Sequence, residues 1–412
     1  MVKQSAVFLQ VYISPNKTDA LQALLNSGGN PNTSSHFFPF ERMETVHFAR
    51  WIIAPATEKF KPSLIYSGNV DGSADQHLVA LSEHFPNELD LIFSHCENYP
   101  EQPTGEQRLS FLRKHSKKTP AFYVGAPERS VHQIKTEAKF HEALQQYIRV
   151  HRKEWKNQRE AHAAIQSFIR EDSDWAEILK SFSLPKKNGG KMILLLLLLV
   201  LLSPLVILAA ILIFFFYELR LKPLGKTIDQ IDLKKLERLK NQEDIIYQNQ
   251  ISQVFETKGG LRKVFLRFIL WATNFAAKNW FVEGSLMGTP TIHFARWVFI
   301  DEGKRFVFFS NFDGSYDGYL GDFVDNNGWG LNAIYGAAMG YPRTYFVFGG
   351  GSYKLLQFLG WGRYTQVETP IWYSAYPWFG LQQIMSRSLL RDELLNNVNP
   401  TEAQLQQTLS RI

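Results

Sequence analysis

Thr45-Val46-His47-Phe48-Ala49-Arg50-Trp51 recurs as Thr291-Ile292-His293-Phe294-Ala295-Arg296-Trp297. The similarity continues downstream of each copy, in the same order. Asn69-Val70-Asp71-Gly72-Ser73 returns as Asn311-Phe312-Asp313-Gly314-Ser315, and Leu89-Asp90-Leu91-Ile92-Phe93 as Leu331-Asn332-Ala333-Ile334-Tyr335. A Tyr-Pro pair follows each time, Tyr99-Pro100 and Tyr341-Pro342. A looser match pairs Pro120, Phe122, Tyr123 and Pro127 with Pro370, Trp372, Tyr373 and Pro377. Ordered self-similarity of this kind marks a duplicated structural unit.

Periodicity gives each unit its elements. In the first, Ser5 to Ser14 alternates as a strand and Asp19 to Leu25 has helical spacing. Thr45 to Ala54 and Ser63 to Ser67 read as strands, Ser73 to Phe85 as a helix and Glu88 to Ser94 as a fourth strand. The second unit follows with Ile251 to Thr257, Leu261 to Lys278, a hairpin of Thr291 to Ile300 and Arg305 to Ser310 turning at Asp301-Glu302-Gly303, Ser315 to Val324, and Leu331 to Tyr335. The order β-α-β-β-α-β is the ferredoxin-like arrangement. A sheet with both helices on one face needs cover on the other, and the sister unit can supply it. The chain thus resembles the dimeric α/β-barrel superfamily. The expected fold is α+β: two ferredoxin-like repeats pairing as an intramolecular α/β barrel, separated by a hydrophobic insert. The expected domains are repeat 1 over 1–130, a charged helical connector over 131–191, the hydrophobic segment over 192–217, an amphipathic connector over 218–249, repeat 2 over 250–395 and a tail over 396–412.

Met192 to Tyr217 carries no charge and includes the leucine run Leu194 to Leu199. It exceeds the roughly 20 residues needed to span a bilayer and has no polar stripe, so it is read as a membrane segment. Pro204 divides it, leaving either one kinked span or a re-entrant hairpin. Lys180, Lys186, Lys187 and Lys191 precede it; Arg220, Lys222 and Lys226 follow. Basic residues favour the cytoplasmic side, and here they stand on both sides. Pairing of the two repeats also requires both on one face of the membrane. The hairpin is therefore favoured, with both soluble halves expected on the cytoplasmic side. The N-terminal residues run directly into strand-like sequence, with no signal-peptide pattern.

Composition narrows the function classes. A net charge of +6 without a basic stripe interleaved with aromatics argues against nucleic acid and suits an anionic lipid surface. Cys96 is the only cysteine, which excludes an intramolecular disulfide and a cysteine-based zinc site; no metal-ligand spacing stands out. The glycines of Gly349-Gly350-Gly351 lack the lysine of a phosphate loop.

His47 and His293 head the candidate residues. On a regular strand, His47, Ala49 and Trp51 share one face and Val46, Phe48 and Arg50 the other. An imidazole inside a barrel can ligate a haem iron; one repeated with its neighbours equally suits a structural hydrogen bond. Arg50 and Arg296 can bind an anion, or pair with Asp71 and Asp313. These aspartates, between strand and helix, are placed as helix N-caps. Gly68-Asn69-Val70-Asp71-Gly72 also resembles the G-x-x-D-G motif of the dye-decolourising peroxidases, haem enzymes with a duplicated ferredoxin-like fold. The resemblance implies an acid–base role for Asp71 in peroxide cleavage, beside a distal Arg and above a His-ligated haem. The second copy departs, with Ser310 where the motif has Gly, and no motif assigns the family's proximal His or distal Arg. The candidate catalytic set is Asp71, Asp313 and Arg296; the candidate haem-binding residues are His293 and His47. The aromatics Trp361, Tyr364, Trp372, Tyr373, Tyr376 and Trp378 can line an apolar pocket, face the bilayer or pack as core. The expected function is a membrane-attached protein binding haem or an apolar small molecule, with peroxidase-like activity. The other reading is a non-enzymatic, membrane-tethered scaffold or binding module.

Overall fold

The computed structural model describes residues 2–28, 37–171, 175, 185–396 and 400–411. Lys180, and the parts of the expected connector and tail at 172–174, 176–184, 397–399 and 412, lie outside them. In the first half, β1 (Gln4–Tyr12) is followed by α1 (Thr18–Ser27), β2 (Val46–Ala54), β3 (Ser63–Asp71), α2 (Ala74–His84), α3 (Pro86–Phe93), α4 (Gly105–His115), β4 (Ala121–Val124), α5 (Val131–His151) and α6 (Gln158–Glu171). Then come α7 (Gly189–Ile213), α8 (Leu233–Lys240), β5 (Gln248–Glu256), α9 (Gly260–Asn279), β6 (Ile292–Ile300), β7 (Arg305–Asp313) and α10 (Tyr316–Tyr335). The chain ends with the short strands β8 (Thr344–Tyr345) and β9 (Gly349–Gly350), then α11 (Leu355–Thr365), β10 (Ile371–Ser374), α12 (Leu381–Asn396) and α13 (Glu402–Leu409).

The fold is α+β. Its two larger sheets are antiparallel, with strand orders β1-β3-β2-β10 and β4-β6-β7-β5. Each takes one edge strand from the other half of the chain: Ile371 lies opposite Trp51, and Ala121 opposite Trp297. The residues before each exchanged strand still touch their own half. Lys117 N–H donates to Phe8 O at 2.9 Å, and Val367 N–H to Ser252 O at 2.9 Å. Residues 116–124 and 366–374 thus each run from one sheet to the other. The expected closed barrel is not formed: among the described residues the two ladders stay separate.

The outer faces of the sheets carry helices, and each has its own core. Trp51 and Tyr66 pack with Leu21, Leu81 and Phe85; Trp297 and Phe308 pack with Leu270, Tyr319 and Trp361. The inner faces meet through Phe8, Ile52 and Ile65 on one sheet and Val298, Val307 and Phe309 on the other. Burying each such side chain contributes about 1.5–3 kcal/mol. A second inner cluster gathers Phe48, Phe294, Trp372 and Tyr376.

The segments expected as fourth strands are helical. Leu89, Ile92 and Phe93 form the buried face of α3, which begins at Pro86, and Leu331 to Tyr335 is the last turn of α10. A short apolar run suits either structure, and Pro at the first helical position tips it to helix. The true fourth strands are the exchanged β4 and β10. The charged connectors pack onto the domains: Phe140 and Leu144 of α5 and Ile165 of α6 meet Leu390 and Leu394 of α12.

The hairpin reading of the insert is also corrected. α7 runs unbroken through Pro204 and continues into a π-helical turn, Phe214–Glu218. Together these form one helix of 30 residues, Gly189–Glu218, long and apolar enough to cross a membrane. A proline removes one N–H donor from the ladder, and a long apolar helix tolerates that loss. Both ends of this helix are tied to α9. Asn188 N–H donates to Asn279 O at 2.7 Å, and Leu261 N–H to the Tyr217 hydroxyl at 3.0 Å. Between the ties only Leu195 and Ile213 of α7 are buried, while Leu201 is 75% exposed and Leu205 65%.

Candidate functional site

The repeated motif residues converge between the sheets, in two equivalent settings. The Asp-Gly-Ser units work as relays from strand to helix. Gly72 and Gly314 take φ of +83° and +80°, the left-handed turn that glycine adopts without strain. Ser73 and Ser315, one residue on, are the N-caps of α2 and α10. The aspartates were expected in that role, but they serve more distant helices. Asp71 Oδ2 accepts from Val131 N–H at 2.9 Å, at the start of α5; Asp313 Oδ2 accepts from Leu381 N–H at 2.7 Å, at the start of α12. A carboxylate is favourable there because it satisfies a free N–H at the positive end of the helix dipole.

The second oxygen of each aspartate meets a histidine. His47 Nε2 lies 2.9 Å from Asp71 Oδ1, and His293 Nε2 2.7 Å from Asp313 Oδ1. Strict alternation put the histidines on the faces of Ala49 and Ala295. Instead, the ladders shift register between Val46 and Phe48 and between Ile292 and Phe294. A bulge at the histidine turns it inward alongside its phenylalanine neighbour. The contacts are reciprocal: His47 packs on Phe294 at 5.2 Å between centroids, and His293 on Phe48 at 5.5 Å.

The arginines do not pair with the aspartates. Each reaches across to the opposite sheet. Arg50 donates to Ile251 O (2.8 Å), Ser310 O (3.0 Å), Gln250 Oε1 (3.1 Å), Ser252 Oγ (3.0 Å) and Asn311 Oδ1. Arg296 donates to Val7 O (2.6 Å), Gly68 O (2.6 Å) and Asn69 Oδ1. Gly68 and Ser310 therefore do the same thing with a backbone carbonyl, and the glycine–serine difference leaves it unchanged. Both guanidinium groups are fully buried; burial pushes Arg296 down to about 9, while Arg50 is lowered by burial and by Arg296. The acceptors from the opposite sheet offset the desolvation.

These placements bear on the haem expectation. His47 Nδ1 lies 2.8 Å from the Tyr376 hydroxyl, so both ring nitrogens are engaged and neither is free for iron. His293 gives its Nε2 to Asp313 and is 2% exposed. Phe48, Phe294 and Tyr376 fill the space around the rings. The residues present do not fit a haem, and Arg296 and the two aspartates are bound within the protein. Cys96 is buried, which pushes its thiol up to about 12; it is not poised as a nucleophile.

Open space lies elsewhere. A cavity of about 370 Å³ separates α7 from the second half. Val206, Ile207, Ala210, Ile211 and Phe214 form one wall; Phe265, Ile269, Trp329, Ala333, Phe346 and Phe348 form the other. Its polar end holds Glu218 and Arg262. Glu218, carried inward by the π-turn, pairs with Lys258 at 3.2 Å and accepts from Thr344 N–H at 3.4 Å. The aromatics singled out as pocket candidates are not its lining: Trp361, Trp372, Tyr373 and Tyr376 are buried core, and Tyr364 and Trp378 are exposed. Sequence reasoning missed Arg262, a basic residue in the first turn of an apolar helix. Its signal was an arginine at a position whose helical neighbours Leu266 and Leu270 are core.

Comparison of the chain with family models, with curated proteins and with solved structures finds no match in any of the three.

Proposed function

We propose that this chain is a membrane-attached binding module for an apolar small molecule, and that its repeated polar residues hold the fold together without catalysing a reaction. One observation carries the reading: an apolar helix lies against the folded body with most of its leucines facing outward, and a ligand-sized cavity sits behind it. The body is read as two ferredoxin-like repeats paired face to face, with the bent segments 116–124 and 366–374 running between their sheets. The reciprocal contacts of His47 with Phe294 and His293 with Phe48 support that pseudo-symmetry. The saturated hydrogen bonding of His47, Asp71, Asp313 and Arg296 favours binding over peroxidase-like chemistry.

The same geometry supports attachment to one leaflet. The halves share both sheets, so they belong on one side of the membrane, and a spanning α7 would have to release one of its ties to α9. The helix therefore lies in the plane of the interface, with the leucines in hydrocarbon and Lys187, Lys191, Arg220 and Lys222 near the headgroups. That charge on both flanks points to the cytoplasmic leaflet. Full-length protein tagged at both termini and reconstituted into sealed vesicles tests this. Both tags are expected to be cleaved by external protease in the same vesicles, with the protein resisting carbonate extraction. Tags in opposite compartments would overturn it.

A further inference from the structure

We infer that the cavity behind α7 binds a single-chain amphiphile with an anionic head group, its chain among the apolar residues of the two walls and its head at Arg262. This rests on the apolar-ligand reading above and adds the ligand's charge and shape. The charged residues lining the polar end of the cavity are Glu218 and Arg262. Lys258 and Arg262 both pair with the one carboxylate of Glu218; burial lowers Lys258, Arg262 and Arg343 lower it further, and Glu218 opposes the shift. Glu218 is already committed to Lys258 and Thr344. The guanidinium of Arg262 is buried, lines the cavity, and uses Nη2 on Asn332 O at 3.2 Å. Its Nε has no hydrogen-bond partner and makes only a long ion pair, at 3.9 Å, with Glu218 Oε1. Nε of the neighbouring Arg343 is likewise buried without a partner.

Buried donors on a cation are costly when unpaired, and an incoming carboxylate or phosphate would satisfy them. The protein keeps this arginine in place at a cost in sequence freedom: a Cβ at Gly336 would collide with Arg262 Nη2. The remaining wall is hydrocarbon, and 370 Å³ lies near the lower end of ligand pockets, about 300–1,000 Å³, which suits one chain better than two. Because one wall is α7 itself, such a ligand can enter directly from the leaflet.

The test uses full-length, detergent-purified and delipidated protein, with binding of hexadecanoate, hexadecyl phosphate and hexadecanol read by native mass spectrometry and by displacement of a fluorescent fatty acid. Either anion is expected to bind one to one and at least about tenfold tighter than the alcohol, as a charge-assisted hydrogen bond implies; which anion binds tighter identifies the head group. Arg262→Gln is expected to remove that preference, so that the anions bind no tighter than hexadecanol. Ala210→Trp, which fills the cavity from the α7 wall, is expected to abolish binding of all three. Equal binding of alcohol and anions, with Ala210→Trp still blocking both, would overturn the inference while sparing the apolar-ligand reading. No binding of any probe by a membrane-competent protein would overturn both.

Discussion

The repeated residues His47, Asp71, His293 and Asp313 are hinge pins between sheet and helix. Each aspartate answers two donors at once, an imidazole and the first N–H of a distant helix. Asp71→Ala and Asp313→Ala should each lower stability by about 2–4 kcal/mol, since each strands two buried groups. Equilibrium urea unfolding would measure this; a loss confined to one of the two would point to a special role for that copy. The chemistry of these residues was visible in the sequence, but their directions were not. Alternation fails at a bulge, and nothing in Val46-His47-Phe48 announces an extra residue. His77 supplies a pH dependence. Its Nε2 lies 2.7 Å from the Tyr66 hydroxyl, and burial, reinforced by Arg296, pushes it down to about 3. The unfolded chain therefore takes up the proton first as pH falls below the ordinary 6.5. The stability held by neutral His77 is full above that pH and declines toward pH 3, at up to about 1.4 kcal/mol per pH unit. His77→Phe should flatten the fall in urea midpoint between pH 7 and 5 relative to the parent.

Among the elements, α7 sets the contrast between membrane attachment and folding. Leu201→Glu with Leu205→Glu places charge on the exposed side of the helix and touches none of the core. The variant should lose vesicle flotation and keep the parent's thermal midpoint to within a few degrees. A parallel fall in both would mean that those leucines pack inside the protein. The sequence made this helix evident through its uninterrupted apolar run. It did not reveal that the helix passes Pro204 unbroken, because the cost of a proline depends on how many other bonds hold the ladder. Leu89 to Phe93 failed differently: five residues are too few to separate a period of 2 from one of 3.6.

For the molecule as a whole, the exchange of β4 and β10 removes any clean boundary between the halves. Residues 1–185 alone lack the strand that pairs with β2, and 186–412 alone lack the one that pairs with β6. Each fragment should be insoluble or loosely structured by itself. Co-expressed, the two should assemble into a stable one-to-one complex on gel filtration, with dispersed amide resonances in detergent. An independently folded first fragment would contradict the exchange. The α+β class was open to reading from the sequence, whereas strand exchange was not. Pro120 to Pro127 and its counterpart signal a strand, but the choice of partner depends on which sheet edge lies within reach in three dimensions.

Synthesis on the ribosome gives the exchange a further consequence. Trp51 emerges early, yet its neighbour Ile371 is made only near the end of translation. Throughout that interval the flank of β2 has no permanent companion, and in the same interval the leucine-rich helix is released with its apolar side uncovered. Nascent chains stalled before residue 371 should therefore be the most prone to cling to chaperones, and an exposed strand flank is what those chaperones would be shielding.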